Sequence, residues 1–303
     1  MKAATKPAIE TFGLGKRYAK GDDFALSKLN ITIMPGEIYG YLGPNGAGKS
    51  TTIRLLMNFI QPTEGHAQIL GLDVVGDSVQ IRRNIGYLPG EFAFYPNMSG
   101  RQFLAYMADL QPPKHKNYAA QLARLFDVPL GRRLGALSKG NRQKIAVIQA
   151  LSAEPDILIL DEPTSGLDPL MQEVFYEQIR SAKARGATVF LSSHDLSEVQ
   201  KICDKAGFIR SGRLIAEQTI SELSKNAVQT YHISFDGESP LPDLRRLRGA
   251  KVSANTPRHV TVKIKGDLRP LFSLLSKCRV NAIDRQEINL EEEFLRYYKG
   301  DAK

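Results

Sequence analysis

The stretch "GYLGPNGAGKST" holds the residue types that grip phosphate. Gly43, Pro44, Asn45, Gly46, Ala47, Gly48, Lys49 and Ser50, followed by Thr51, form a complete G-x-x-x-x-G-K-S. The motif follows the apolar run 37–42 and opens the amphipathic "TTIRLLMNFI", so strand, loop and helix stand in the order that a phosphate-binding loop requires. Glycines let backbone N–H groups turn inward, the helix adds its positive end, and Lys49 places a point charge on β- and γ-phosphate oxygens. Ser50 is then a candidate ligand of Mg²⁺. A second constellation, "DILILDEP", ends an apolar run in Asp161 and Glu162. Neighbours on a strand point opposite ways, so the two carboxylates can divide the work. Asp161 reaches the Mg²⁺ shell, and Glu162 faces the water that attacks a γ-phosphate. ATP with Mg²⁺ is the expected ligand; the N/T-K-x-D element that would read guanine is absent. A third stretch, "ALSKGNRQKIAV", puts Ser138 and Gly140 at the start of a helix, which is a second phosphate-type cradle far from the first.

The elements that must position these residues follow from periodicity. "EIYGYLG", "AQILG", "NIGYLP", "DILILDEP", "TVFLSSH" and "AGFIRSGRLIAE" are short apolar runs separated by amphipathic segments, the pattern of an α/β sheet covered by helices. Between residues 92 and 135 strand signals vanish. "SGRQFLAYMADL" and "KNYAAQLARLFDV" show helical spacing around the Pro112-Pro113 break, which predicts a helical insertion. Beyond about Ser224 the texture changes to the alternating "VQTYHISF", "AKVSA", "HVTVKIKG" and "VNAIDRQEI", with "LRPLFSLLSK" and "LEEEFLRYYKG" as helices. This order predicts a small α+β domain built on a split βαβ unit, ferredoxin-like in plan. Two domains are expected, residues 1–222 and 223–303. The second carries no acid/base or metal constellation and is expected to be structural or dimer-stabilising.

Composition bounds the surroundings. The chain has 303 residues, with 41 Lys and Arg against 32 Asp and Glu, a net charge of +9. That excess suits nucleic acid, an anionic membrane face or a polyanionic ligand such as ATP. Only Cys203 and Cys278 are present. Neither a disulfide framework nor a zinc site is indicated, and a reducing cytosol is expected. The start "MKAATKPAIE" has no apolar signal region, and no stretch is apolar over the length of a membrane span.

Taken in order, Walker A at 43–51, Walker B "ILILDEP", "SGLD" at 165–168 and "LSSHD" with His194 resemble the motifs of ATP-binding cassette (ABC) ATPases. "LSKGN" then resembles that family's LSGGQ signature, and the match spans roughly residues 8–222. The resemblance implies head-to-tail pairing of two cassettes, each signature closing over the ATP on the other subunit's P-loop. Ser138 and Gly140 would approach a γ-phosphate across that interface. His194 would contact the γ-phosphate of its own subunit, Asp168 would connect the paired sites, and Tyr18 in "LGKRYAKG" matches the aromatic that stacks on adenine. Two positions depart from the pattern. Where the family usually has a Gln touching Mg²⁺ and the attacking water, this chain has Gly90 and then Glu91; either Glu91 replaces the amide, directly or through water, or the contact is missing. In the signature, Lys139 replaces the first Gly and adds positive charge where phosphate is expected, and Asn141 replaces Gln. Lys-containing signatures, "YLPGE" loops and a C-terminal "LEExFL" helix like Leu290–Leu295 point to the ATPases of ABC-2 type exporters. The implied protein is a cytoplasmic homodimeric ATPase held at the inner face of the membrane by separate permease subunits, with no nucleic acid partner. The rival is a soluble ABC mechanoenzyme acting on ribosomes or DNA, which usually carries tandem cassettes or a long coiled-coil insertion; neither is visible here.

Overall fold

The computed structural model describes residues 6–286 apart from 22, 93–94, 116 and 227. The chain separates into two compact units, Met1–Glu217 and Gln218–Lys303.

The first unit contains two sheets. Its central sheet has the order β11-β10-β4-β9-β8-β7, from β4 (Ile38–Leu42), β7 (Ile85–Leu88), β8 (Ile157–Asp161), β9 (Thr188–Ser193), β10 (Lys205–Arg210) and β11 (Arg213–Thr219). β4, β8 and β9 are buried at every residue, which explains why they read as unbroken apolar runs instead of alternating ones. The sheet from β10 to β7 is parallel. "AGFIRSGRLIAE" is two strands joined across Ser211 and Gly212, both at positive φ, the geometry of a two-residue hairpin turn.

The second sheet is antiparallel. It joins β1 (Ile9–Lys16), β2 (Leu26–Leu29), β3 (Thr32–Ile33), β5 (Glu64–Ile69) and β6 (Leu72–Asp73). "AQILG" therefore belongs to this sheet and not to the α/β sheet. A short apolar run reports burial but not which sheet covers it.

Helices cover the central sheet. α1 (Lys49–Leu56) follows the phosphate loop, α2 (Ser78–Arg82) precedes β7, and α3 (Gly100–Leu110) and α4 (Tyr118–Leu125) form the insertion. Ser99 and Gln102 close a reciprocal capping box on α3, a device that satisfies two free N–H groups at a helix start. α3 and α4 both pack on α5 (Lys139–Ser152). The link between them is tied to the core, with His115 Nδ1 2.6 Å from Glu154 Oε2 and Lys114 Nζ 2.8 Å from Asp156 Oδ1. α6 (Pro169–Ala184) and α7 (Leu196–Ile202) connect β8, β9 and β10.

The second unit begins with the last two residues of β11 and continues with α8 (Ile220–Asn226), β12 (Gln229–Phe235), α9 (Leu241–Arg245), β13 (Ala250–Thr256), β14 (His259–Ile264), α10 (Arg269–Leu275) and β15 (Val280–Arg285). Its sheet runs β13-β14-β12-β15, antiparallel throughout. Tyr231, Ile233 and Phe235 alternate inward with Val260, Val262 and Ile264 to make a core of its own with Leu244, Leu271 and Leu275. The expected helix at Leu290–Leu295 lies outside the described residues.

Phe190 on β9 is fully buried between Tyr39 and Tyr41 of β4, with ring centroids 5.9 and 5.4 Å away. Phe190→Ala would open a cavity at the centre of the sheet that carries the loops described below. Equilibrium urea unfolding of the first unit's transition should show a loss of about 3–5 kcal/mol. A loss below about 1 kcal/mol would mean that the tyrosines close over the gap.

Candidate functional site

The C-terminal ends of β4, β8 and β9 lie side by side, and the register sets Leu42 beside Ser193 and Asp161 beside Ser192. The phosphate loop, the Asp161-Glu162 pair and His194 all hang from that edge. The loop after β4 needs its glycines. A Cβ on Gly43 would stand 2.4 Å from the Ile209 carbonyl oxygen, and Gly48 has φ 111° with Ala25 O only 2.7 Å from where its Cβ would be. No other residue fits these positions without moving backbone.

A cleft of about 460 Å³ opens over this loop. Asn45, Gly46, Gly48, Lys49, Ser50 and Thr51 line one wall, and Gly90, Glu91, Glu162 and His194 line others. Lys49 is only 6% exposed. Its Nζ donates to the carbonyls of Gly43 (2.6 Å) and Pro44 (3.2 Å) and pairs with Glu162 Oε1 at 3.1 Å. The other Glu162 oxygen, Oε2, lies 2.5 Å from His194 Nδ1. A carboxylate accepting at Nδ1 fixes the imidazole tautomer and leaves Nε2 for another partner. Glu162 stands at φ 50°, a left-handed conformation that is rare outside glycine. Its N–H is held by Ser192 O at 3.2 Å and Ser192 Oγ at 3.1 Å. The same Ser192 hydroxyl donates to Asp161 Oδ1. One serine thus orients both adjacent carboxylates.

Gly90 reaches close to Asp161: a Cβ there would be 3.0 Å from Asp161 Oδ2. The next residue, Glu91, lines the cleft. The donors available to a cation are therefore oxygens, Ser50 Oγ, Asp161 and Glu91. Among the described residues no cluster of three His, Cys, Asp or Glu could hold a metal unaided. A cation here would complete its shell with phosphate oxygens and water. That suits Mg²⁺, which keeps several waters and binds through one or two carboxylates plus substrate phosphate.

Tyr18 is 55% exposed. Its hydroxyl lies 3.2 Å from Thr51 Oγ1, and Lys16 Nζ sits 5.7 Å from its ring centroid. The ring is an open aromatic face beside the phosphate loop, although it does not line the cleft itself.

Ser138, Lys139, Gly140 and Asp168 are not among the residues lining this cleft. Ser138 caps α5, accepting from Asn141 N at 3.3 Å. Gly140 lies against Gly166, whose carbonyl oxygen would be 2.9 Å from a Cβ at 140. Asp168 caps α6, accepting from Met171 N at 3.0 Å. Gln143 Nε2 donates to Pro163 O at 2.9 Å, which fastens α5 to the loop that follows Glu162. Ala25 and Ser192 escape a reading of the sequence, and Ser165 enters it only as the first residue of "SGLD". Ala25 and Ser165 reach the cleft only through tertiary packing. Ser192 could be found from "LSSHD" once β8 and β9 are taken as neighbours.

Comparison with known proteins agrees with this geometry. The sequence profile of the family described as "ABC transporter" matches residues 26–165. The bacitracin transport ATP-binding protein BcrA of Bacillus licheniformis is 37% identical over 220 residues, 72% of this chain and 71% of that one. The Nod factor export ATP-binding protein I of Burkholderia orbicola is 30% identical over 309 residues, 95% of this chain and 96% of that one. The solved ATP-binding subunit of an ABC transporter superposes with a TM-score of 0.66 at 28% identity, covering 72% of this chain and 92% of that one. A relative 30% identical over nearly the full length of both chains shows that this chain belongs to the ATP-binding cassette family, the ATP-binding subunits of ABC transporters, and its phosphate cradle, two oriented carboxylates and histidine at one sheet edge suit an ATPase.

Proposed function

We propose that the chain is the ATP-hydrolysing motor of an ABC-2 type exporter, working as a homodimer against separate membrane permease subunits at the inner face of the cell membrane. The observation that carries the catalytic part is the division of one carboxylate, with Glu162 Oε1 on Lys49 and Oε2 on His194. Both lone-pair faces of a would-be base are engaged. A polyphosphate entering the loop competes for Lys49 through its own negative charge, and the oxygen so released is free to orient and accept from water. His194, kept in one tautomer by Oε2, can meet the γ-phosphate through Nε2. Gly43, Pro44, Asn45, Gly46, Ala47, Gly48, Ser50 and Thr51 supply the backbone cradle. Tyr18 offers its exposed face to adenine. Ser50 and Asp161, with Glu91 in place of the usual glutamine, would hold Mg²⁺, which supplies neutralisation of phosphate charge when bound.

The export part is supported by relatives named for bacitracin transport and Nod factor export. Among the described residues, no helix is long and apolar enough to cross a membrane, and the proposal places the pathway in separate permease subunits. Co-purification from native membranes tests this. A polytopic membrane protein should accompany the chain, and recovery with ribosomes or DNA instead would overturn the exporter reading.

Ser138, Lys139 and Gly140 are assigned to the ATP of a second copy, because they form a helix-start cradle that does not line the cleft of their own P-loop. Asp168, beside that cradle, is assigned to the link between paired sites.

Glu162→Gln should bind ATP with an affinity near that of the parent chain and lose turnover by about 100-fold or more, because the amide preserves shape and removes the accepting oxygen. Lys49→Ala should weaken binding itself. Nucleotide titration and steady-state ATPase separate the two, and near-normal turnover in Glu162→Gln would sink its role. For the shared site, Lys49→Ala spoils a subunit's own loop and Ser138→Arg spoils the site it completes for its neighbour. Neither homodimer then keeps an intact site, whereas a mixed dimer keeps one. After native mass spectrometry shows exchange, light scattering should find ATP stabilising the mixed dimer beyond either parent; equal behaviour returns Ser138 to the role of an ordinary helix cap.

A further inference from the structure

Beneath the turn that carries His194 lies a carboxyl group that the chemistry above does not use. Glu198, on α7, is 2% exposed. Its Oε2 lies 2.5 Å from Ser193 Oγ, and its Oε1 is buried without a close hydrogen-bond partner among the described residues. Ser193, next to His194 in the chain, makes unusual use of one hydroxyl. It accepts from Asp195 N at 3.0 Å, and it has two acceptors within reach for its single hydrogen: Glu198 Oε2, and the Asp195 carbonyl at 3.3 Å. The Ser193 carbonyl meanwhile accepts from Gly43 N at 3.2 Å, at the head of the phosphate loop. The turn 193–195 is thus fastened on one side to the P-loop and on the other to Glu198.

We propose that Glu198 is a proton-responsive positioning residue that acts on His194 through Ser193. When Glu198 is ionised, Ser193 Oγ–H donates to it in a charge-assisted bond that pins the turn. When Glu198 is protonated, its own O–H donates to Ser193 Oγ and the serine hydrogen turns to the Asp195 carbonyl. One proton is gained, no covalent bond changes, and the turn exchanges a charged anchor for a neutral one.

The surroundings place this exchange in an accessible range. Burial raises the proton affinity of Glu198 most, the neighbouring Ser193 and Thr164 hydroxyls lower it, and the charges of Asp195 and Glu162 raise it again, for a pKa of about 7. The other titratable groups facing it are Tyr176 on α6 and Cys203 after α7, both pushed upward by burial first and by the Glu198 charge second. Among the described residues no Lys, Arg or His forms an ion pair with Glu198.

This inference rests on the assignment of Glu162 and His194 to the γ-phosphate. The test compares kcat and KM for ATP between pH 6 and 8 in the full chain and in Glu198→Gln, which stands permanently in the neutral state. Their kcat values should converge at pH 6. The ratio of parent to variant should rise about threefold or more by pH 8 with a midpoint near 7, while KM changes less than about twofold. In a Ser193→Ala background the ratio should be flat. A flat ratio in the parent background makes Glu198 a purely structural residue and overturns the proposal, as does a ratio that still rises without the Ser193 hydroxyl. If Glu198→Gln is unfolded by circular dichroism, the ratio of parent to Ser193→Ala, which keeps the carboxylate, must itself rise with pH or the proposal fails. Glu162→Gln run alongside distinguishes the two levels. If it keeps turnover, the γ-phosphate assignment falls and this inference with it; if it is inactive and the ratios are flat, only the role of Glu198 falls.

Discussion

The site depends on one carboxylate held from two sides. Glu162 can reach Lys49 with one oxygen and His194 with the other only because three loops leave a single sheet edge at the same level. Parallel strands buried on both faces have little freedom to slip, since a shift by one residue would reverse every side chain. The apolar sheet is therefore the ruler that sets the polar distances. Phe190, packed between Tyr39 and Tyr41, sits in the middle of that ruler.

The backbone at Glu162 is bent to serve this arrangement. A left-handed residue with a side chain costs on the order of 1 kcal/mol, and the two bonds from its N–H to Ser192 offset that cost. Their second effect is chemical. Because the Ser192 hydroxyl also donates to Asp161, the two neighbouring carboxylates are oriented by a common group, one toward the cleft and one toward the space that Gly90 leaves open. A side chain at 90 would crowd Asp161. Glycine at 90 leaves that space open, and the first side chain after it, Glu91, lines the cleft.

Much of this was legible in the sequence because the phosphate chemistry is local. G-x-x-x-x-G-K-S after a strand, an Asp-Glu pair ending an apolar run and Ser138 before a helix all declare themselves within a dozen residues. The insertion was equally legible, since α3 and α4 carry helical spacing on either side of Pro112-Pro113. What could not be read was non-local. "AQILG" has the composition of a strand in either sheet, and only pairing with β1 decides which. α9 is five residues long, with prolines at 240 and 242, too short and too broken to show a period. Ser192, Ser193 and Glu198 look like ordinary polar residues in "LSSHDLSE"; their importance comes from strand neighbours and burial, which no spacing rule records.

The segment 162–168 joins these observations physically. It begins at the carboxylate that faces Lys49, passes Pro163, whose carbonyl takes the Gln143 amide of α5, brings Gly166 against Gly140, and ends in Asp168 capping α6. The segment is held by a side-chain amide on Pro163, a close approach of Gly166 that excludes a Cβ at 140, and the Asp168 cap, so it has few soft joints. A phosphate that draws Lys49 away would remove one of the two attachments of Glu162, the residue at the head of the loop that packs against Gly140. Under the proposed reading, in which Ser138 and Gly140 serve the ATP of a second copy, this segment is a direct link between the two cradles, and a change of charge at Lys49 would have a short route to the second.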